Sequence, residues 1–288
     1  MIKIGIIGSD NSHALAFSRL ANVDRVLGDR VKVVGIWGAD PERTREVARD
    51  GGIATIVERP EDLLDAIDLA VVVDRHGDLH AGHALPFLER GIPTFVDKPL
   101  AIQLEDCQAI LAAAQRTTTP VTSFSALRWA SSTEELAIEA SRSGQIVAAH
   151  FSGPCDFESP HGGAFFYATH IIELAMRLLG EEIVSVSAQR NAGSVVATMT
   201  WREGEIASFS FLRDAAYHFH ATLFGSEGLC VREIAGGDAA YSEALNQIVL
   251  MAETGREPLS HEQLLQPIEI VHAILESLAT EGNTVRVR

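Results

Sequence analysis

The stretch IKIGIIGSDNSHA, residues 2–14, decides how the rest of the chain is read. An apolar, largely β-branched run from Ile2 to Ile7 meets Gly8 and a polar turn, and a helical pattern follows. This strand–turn–helix is the place where nucleotide-binding α/β proteins cradle a phosphate. Gly8 supplies the tight turn. The second and third glycines of a G-x-G-x-x-G loop would fall at positions 10 and 13, which hold Asp10 and His13. The loop keeps its position and departs from the pattern. Gly8, Ser9, Asp10, Asn11 and Ser12 are expected to face a dinucleotide. Asp10 and Ser12 are expected to cap the helix, where a carboxylate repels phosphate and weakens binding.

The same alternation continues to residue 122. Strands are predicted at 2–8, 31–37, 69–73, 93–97 and 120–125. Helices are predicted near 12–27, 41–50, 60–66, 78–90 and 103–116. Val- and Ile-rich runs without alternation predict strands buried on both faces. Strand–helix repetition predicts a doubly wound parallel sheet of Rossmann type. Ligands of such sheets lie beyond the C-terminal strand ends. Those ends place Trp37, Gly38, Asp74, Arg75, His76, Asp97, Lys98 and Pro99 beside Gly8–Ser12.

Residues 123–288 read differently. Helical patterns at 132–142 and 164–179 flank a strand near 145–152. IVSVSAQR (183–190), SVVATMTW (194–201), IASFSFL (206–212) and FHATLFG (219–225) follow, several with alternating apolar residues. These predict an open, mostly antiparallel sheet. A helix at 261–279 and a short strand, TVRVR (284–288), close the chain. The expected domains are therefore 1–122 for dinucleotide binding and 123–288 for substrate binding and oligomerisation.

Composition narrows the function. A formal net charge of −16 over 288 residues argues against nucleic acid and anionic membrane as partners. Three cysteines form no disulfide framework or zinc pattern. No stretch reads as a signal peptide or a membrane span, so the expected location is the cytoplasm. His76, His80 and His83 share a helical spacing, but no metal site is expected there.

Three segments carry a resemblance. FLERGIPTFVDKPLA (87–101) looks like the E-K-P signature of the Gfo/Idh/MocA family, named for glucose–fructose oxidoreductase and inositol dehydrogenase. GDLHAGHALPFLERG (77–91) is similar to that family's N-x-x-H helix, and GGAFFYATHIIELAMRLLG (162–180) to its G-G-x-x-x-D-x-G-x-H helix. The resemblance implies a Rossmann domain followed by an α/β domain, and an NAD(P)-dependent oxidation or reduction of a sugar, inositol or similar hydroxylated molecule. It implies that Lys98 and His170 carry the chemistry. Histidine suits removal of a hydroxyl proton, and a fixed lysine suits a developing alkoxide.

The chain also departs from that pattern. The family's helix has Asp four residues before the histidine, where this sequence has Phe166. Tyr167, three residues before His170, is expected to donate or relay a proton, or else to be a core aromatic. Glu173 is expected to orient the imidazole. The acidic residue that grips the adenosine ribose is replaced by Gly38, with Trp37 available to stack on adenine. NAD is slightly favoured over NADP, with Arg43 as the first base after the strand. His76 stands where the family has proline. Two further readings stay open: a non-redox enzyme on this fold, and a catalytically silent sugar-binding or regulatory protein. Apolar outward positions in the second sheet suggest a homodimer or homotetramer.

Overall fold

The computed structural model describes residues 1–191 and 193–287, which form two compact units. The first comprises Met1–Phe124 and Asp238–Leu264, the second Ser125–Gly237 and Leu265–Arg288.

The first unit holds a six-stranded sheet of strands β1 (Ile2–Ile7), β2 (Val31–Trp37), β3 (Thr55–Ile56), β4 (Leu69–Val72), β5 (Thr94–Val96) and β6 (Val121–Thr122). Their order is β3-β2-β1-β4-β5-β6, and every pairing is parallel. The chain order reverses between β1 and β4, so the strand ends diverge there and leave a crevice for a ligand. β4 is buried along its whole length, as its unbroken apolar run requires.

The helices are α1 (Ser12–Ser18), α2 (Pro41–Asp50), α3 (His80–Glu89) and α4 (Leu104–Thr117). α1 is shorter than its periodicity suggests, because from Arg19 to Val23 the backbone widens into a π-helical turn. The pattern near 60–66 becomes a 3₁₀ turn, Pro60–Leu63.

α7 (Asp238–Thr254), after α5 (Ser131–Ala140) and α6 (Ala168–Leu179), completes this unit from far along the chain. The sequence reading closes the first domain at residue 122, counts 238–254 with the second and predicts no helix there. The helix buries Ala244, Leu245, Ile248 and Val249, and Arg30 bonds Glu253 at its end at 2.7 Å. Nothing local in the sequence says which core an apolar helical stripe joins.

The second unit is a seven-stranded sheet of β7 (Ile146–Pro154), β8 (Ile183–Asn191), β9 (Ser194–Trp201), β10 (Ile206–Leu212), β11 (Phe219–Gly225), β12 (Leu229–Ile234) and β13 (Val285–Arg286). Its order is β12-β11-β7-β10-β9-β8-β13, with β7 and β10 parallel and the other pairs antiparallel. β12 was not read from the sequence. Of the expected strand 284–288, Arg288 lies outside the described residues. α6 and α8 (His261–Ala279) supply helical cover, α8 beginning in the first unit. Among the described residues no helix is long and apolar enough to cross a membrane.

Candidate active site

At the switch point Gly8 adopts φ 97°, and a Cβ there would stand 2.6 Å from the Asp74 amide nitrogen. Only glycine lets β1 end this close to the next strand. The Gly8 amide donates to the Trp37 carbonyl at 2.9 Å, and Val73 N–H to the Ile7 carbonyl at 2.7 Å. These bonds bring the ends of β1, β2 and β4 together.

Asn11, not Asp10, caps α1: its side chain accepts from His13 N–H at 3.2 Å, and the first turn holds no acidic residue. Asp10 turns away, its carboxylate accepting from Arg75 N–H at 3.3 Å. Ser12 is the first helical residue rather than a cap. The expected carboxylate cap is therefore corrected. The Asn11 amide reaches the residue it caps, and Asp10 finds a backbone donor in the neighbouring loop.

Ser9 is fully buried and shares a hydroxyl–hydroxyl bond of 2.9 Å with Thr44. A Cβ on Gly38 would lie 2.0 Å from Ser9 Oγ. Ser9 fills the space that a side chain at position 38 would take. Asp40, two residues on, caps α2 through Glu42 and Arg43 N–H. Arg43 Nε in turn donates to the Ser9 carbonyl at 3.2 Å. Trp37 is anchored by its indole N–H on the Glu58 carbonyl and meets the His83 ring edge-on at 4.9 Å.

Asp97 sits at the end of β5, 2 % exposed. It accepts from Asn11 Nδ2 at 3.0 Å and lies 2.7 Å from His13 Nδ1, while His13 Nε2 meets the Tyr241 hydroxyl at 2.8 Å. Burial pushes the Asp97 pKa upward. The charges on His13, Lys98 and His80, with the His13 bond, outweigh it and hold the carboxyl below its usual range. Lys98 follows, 5 % exposed, joined to Pro99 by a cis peptide. His80 pins this turn, its ring nitrogens 2.7 Å from the Pro99 carbonyl and 2.9 Å from the Asp74 carbonyl. His83 Nδ1 meets Asp74 Oδ2 at 2.8 Å. Burial lowers the His83 pKa, but the Asp74 bond and charge, with Glu61, raise it overall. His76 caps a short 3₁₀ turn through Asp78 N–H.

In the second unit Gly162 and Gly163, at φ 102° and 59°, open a 3₁₀ turn from Gly163 to Phe166, and α6 starts only at Ala168. The expected continuous helix over 164–179 is therefore broken. Phe166 lies outside the α-helix, and the one-turn spacing to His170 does not apply. Tyr167 and Phe219 both meet the His170 ring, with centroids 5.4 and 5.5 Å away. Phe166 stacks edge-on against Tyr167 at 4.9 Å. Ser125 Oγ stands 2.6 Å from His170 Nδ1, and the Glu173 carboxylate accepts from Ser125 N–H at 2.8 Å.

Residues 2–124 match the model of the oxidoreductase family with an NAD-binding Rossmann fold, Gfo/Idh/MocA. Over this segment the chain resembles the Gfo/Idh/MocA family. It is 33 % identical over 114 residues to inositol 2-dehydrogenase 3 of Saccharopolyspora erythraea, a match covering 39 % of this chain and 32 % of that protein. It thus spans about a third of the length of such relatives. A dehydrogenase of Comamonas testosteroni acting on 1-carboxy-3-chloro-3,4-dihydroxycyclohexa-1,5-diene is 27 % identical over 75 % of this chain and 59 % of its own. Scyllo-inositol dehydrogenase of Lactobacillus casei, solved with NAD(H) and scyllo-inositol, shares the fold with a TM-score of 0.85 at 17 % identity, covering 100 % of this chain and 99 % of that one.

The positions read as cofactor-facing, Gly8–Ser12, Trp37–Gly38, Asp74–His76 and Asp97–Pro99, all stand at the C-terminal ends of β1, β2, β4 and β5. Lys98 belongs to the first unit, Tyr167 and His170 to the second. Ser125 and Tyr241 went unread. Ser125 carries a local signal, a serine three residues after β6 that caps the turn Ala126–Trp129. Tyr241 carries none, because its partner His13 is 228 residues away.

Proposed function

We propose that this chain is an NAD(P)-dependent oxidoreductase acting on the CH–OH group of a sugar, an inositol or a similar small hydroxylated molecule, in the cytoplasm. The observation that carries the reading is Lys98, buried on the turn after β5 beside a buried carboxylate, in a sheet whose strand order reverses next to the bare Gly8 turn. The residues fit a dinucleotide. The Gly8 cradle presents backbone without Cβ, and the first turn of α1 carries no acid. Gly8–Ser12, Trp37–Gly38, Asp74–His76 and Asp97–Pro99 would hold it. When bound, the nicotinamide accepts or supplies hydride.

The chain's own residues do the rest. Asp97 ties the glycine turn to the lysine turn through Asn11 and His13. The first unit offers Lys98 and the second His170 for catalysis, with Tyr167 and Phe219 against the imidazole. Whether the 2′-position carries a phosphate turns on Arg43 at the Ser9 carbonyl, since position 38 offers no acid.

The partner we propose for the open sheet face is a second copy of the chain. In register across it run Thr222, His150, Ser208, Thr198 and Ser187, with Phe224 and Ile206 on the next row. No Lys, Arg, Asp or Glu stands among these positions, although the chain carries a formal charge of −16. A two-fold contact sets the patch against itself, and such a patch brings no like charges together.

The test is calorimetry with NAD(H) and NADP(H), followed by turnover of a panel of inositols and sugars by the wild type, Lys98→Ala and His170→Ala. Binding with turnover lost in both variants supports the reading. No binding at millimolar cofactor overturns it and favours a silent sugar-binding protein.

A further inference from the structure

The Ser125 hydroxyl is 1 % exposed and has two neighbours. Its oxygen accepts from Leu127 N–H at 3.2 Å and stands 2.6 Å from His170 Nδ1. A backbone N–H cannot take a proton, so Leu127 uses only a lone pair of the oxygen. The serine proton needs an acceptor, because a buried donor left without one is disfavoured. The acceptor in reach is His170 Nδ1, which accepts only when it carries no hydrogen. The proton of the neutral ring then resides on Nε2. The serine is itself held in place, its N–H donating to Glu173 Oε2 at 2.8 Å.

We infer that Ser125 is a positioning residue that fixes His170 as the Nε2–H tautomer, so that the imidazole offers the substrate oxygen a hydrogen-bond donor rather than a base. A carboxylate partner does the opposite: it accepts Nδ1–H and leaves Nε2 free to take a proton. In this chain a hydroxyl holds Nδ1 instead. The inference rests on the dehydrogenase reading for its consequence. A bound nicotinamide would supply or accept the hydride; His170 Nε2–H would donate a hydrogen bond to the substrate oxygen and keep its own proton, and the proton that oxygen gains or loses would be exchanged with solvent or another acid–base group. The base role that residue type alone suggests for His170 is thereby excluded.

The test is a two-bond proton–nitrogen correlation spectrum of the full chain labelled with ¹⁵N-histidine, His170 being assigned by the signals lost in His170→Gln. The wild type is expected to show the Nε2–H pattern near neutral pH, with Nδ1 shifted by an accepted hydrogen bond. Ser125→Ala should move the Nδ1 resonance and admit the Nδ1–H tautomer; Ser125→Thr should keep the wild-type pattern. An Nδ1–H or imidazolium pattern in the wild type, or a Ser125→Ala spectrum unchanged from it, overturns the inference. The spectrum needs no cofactor or substrate, so it stays decisive if the dehydrogenase reading fails. If turnover is found, Ser125→Ala should lower kcat about tenfold with KM little changed, the size of one lost hydrogen bond.

Discussion

Filling the space at Gly38 should unfold the first unit more easily, and emptying Ser9 should undo the damage. Gly38→Ala sets a methyl 2.0 Å from Ser9 Oγ, 2.5 Å from Thr44 Oγ1 and 2.6 Å from Ser9 Cβ. The hydroxyl can rotate, but Ser9 Cβ is fixed by a fully buried backbone. Relief requires giving up the Ser9–Thr44 bond, about 1 kcal/mol, and shifting the loop, typically about 1–3 kcal/mol for overpacking. The variant should therefore lose roughly 2–4 kcal/mol, a fall of about 4–16 °C in Tm for a unit of this size. Ser9→Gly removes the obstructing atoms and carries its own entropic cost of about 1 kcal/mol. The double variant should fall well short of the sum, with a coupling of about 2 kcal/mol. Urea denaturation of the four proteins measures it. A Gly38→Ala loss under about 0.5 kcal/mol, or a coupling near zero, would falsify the claim that Ser9 fills the space of a side chain at this position.

Three further outcomes follow from the charges and thiols. Asp97 has a depressed pKa in the folded chain, so its contribution is present above the unfolded carboxylate pKa and is lost as the pH falls through the folded value. Asp97→Asn should cost about 3 kcal/mol at pH 7 and flatten the acid limb of a stability–pH curve, and an unchanged limb refutes the pairing. His83 is raised, so its contribution is present below the unfolded histidine pKa and is lost as the pH rises through the folded one. Its NMR titration midpoint should drop in Asp74→Asn, and a fixed midpoint removes Asp74 as the cause. Burial, with Asp156 beside it, pushes the Cys155 thiol up to about 12. Maleimide at pH 7 should leave it unlabelled until denaturant is added, and fast labelling of the folded chain contradicts its placement.

The sequence discloses what is periodic or punctuated. The β4 and β5 runs and the lysine turn are legible because parallel strands are apolar throughout and the chemistry gathers where they stop. Gly8 is legible because its turn demands a positive φ. Which oxygen caps a helix is a different matter. Asp10, Asn11 and Ser12 are all competent, and the choice of Asn11 depends on an Arg75 amide 65 residues from Asp10. Gly38 is legible as a missing acid, yet what fills the space beside it, a serine hydroxyl from another strand end, is tertiary. The 162–180 segment looks like one helix because its apolar residues keep the period past the glycine pair. The positive-φ turn ahead of Tyr167 is what moves Phe166 off the face that holds His170.

The Tyr241–His13 contact has a consequence for how the chain is made. Synthesis runs from the first residue, so β1, its turn and α1 leave the ribosome long before the tyrosine that bonds His13 exists as polypeptide. A sheet can begin to assemble, but α1 waits for its cover until α7 has emerged, and the second unit is synthesised in the meantime. Contacts so distant in sequence close late and slowly. Moving α7 to directly follow Phe124, with the chain rejoined elsewhere, shortens that wait, and refolding of the first sheet should then proceed faster.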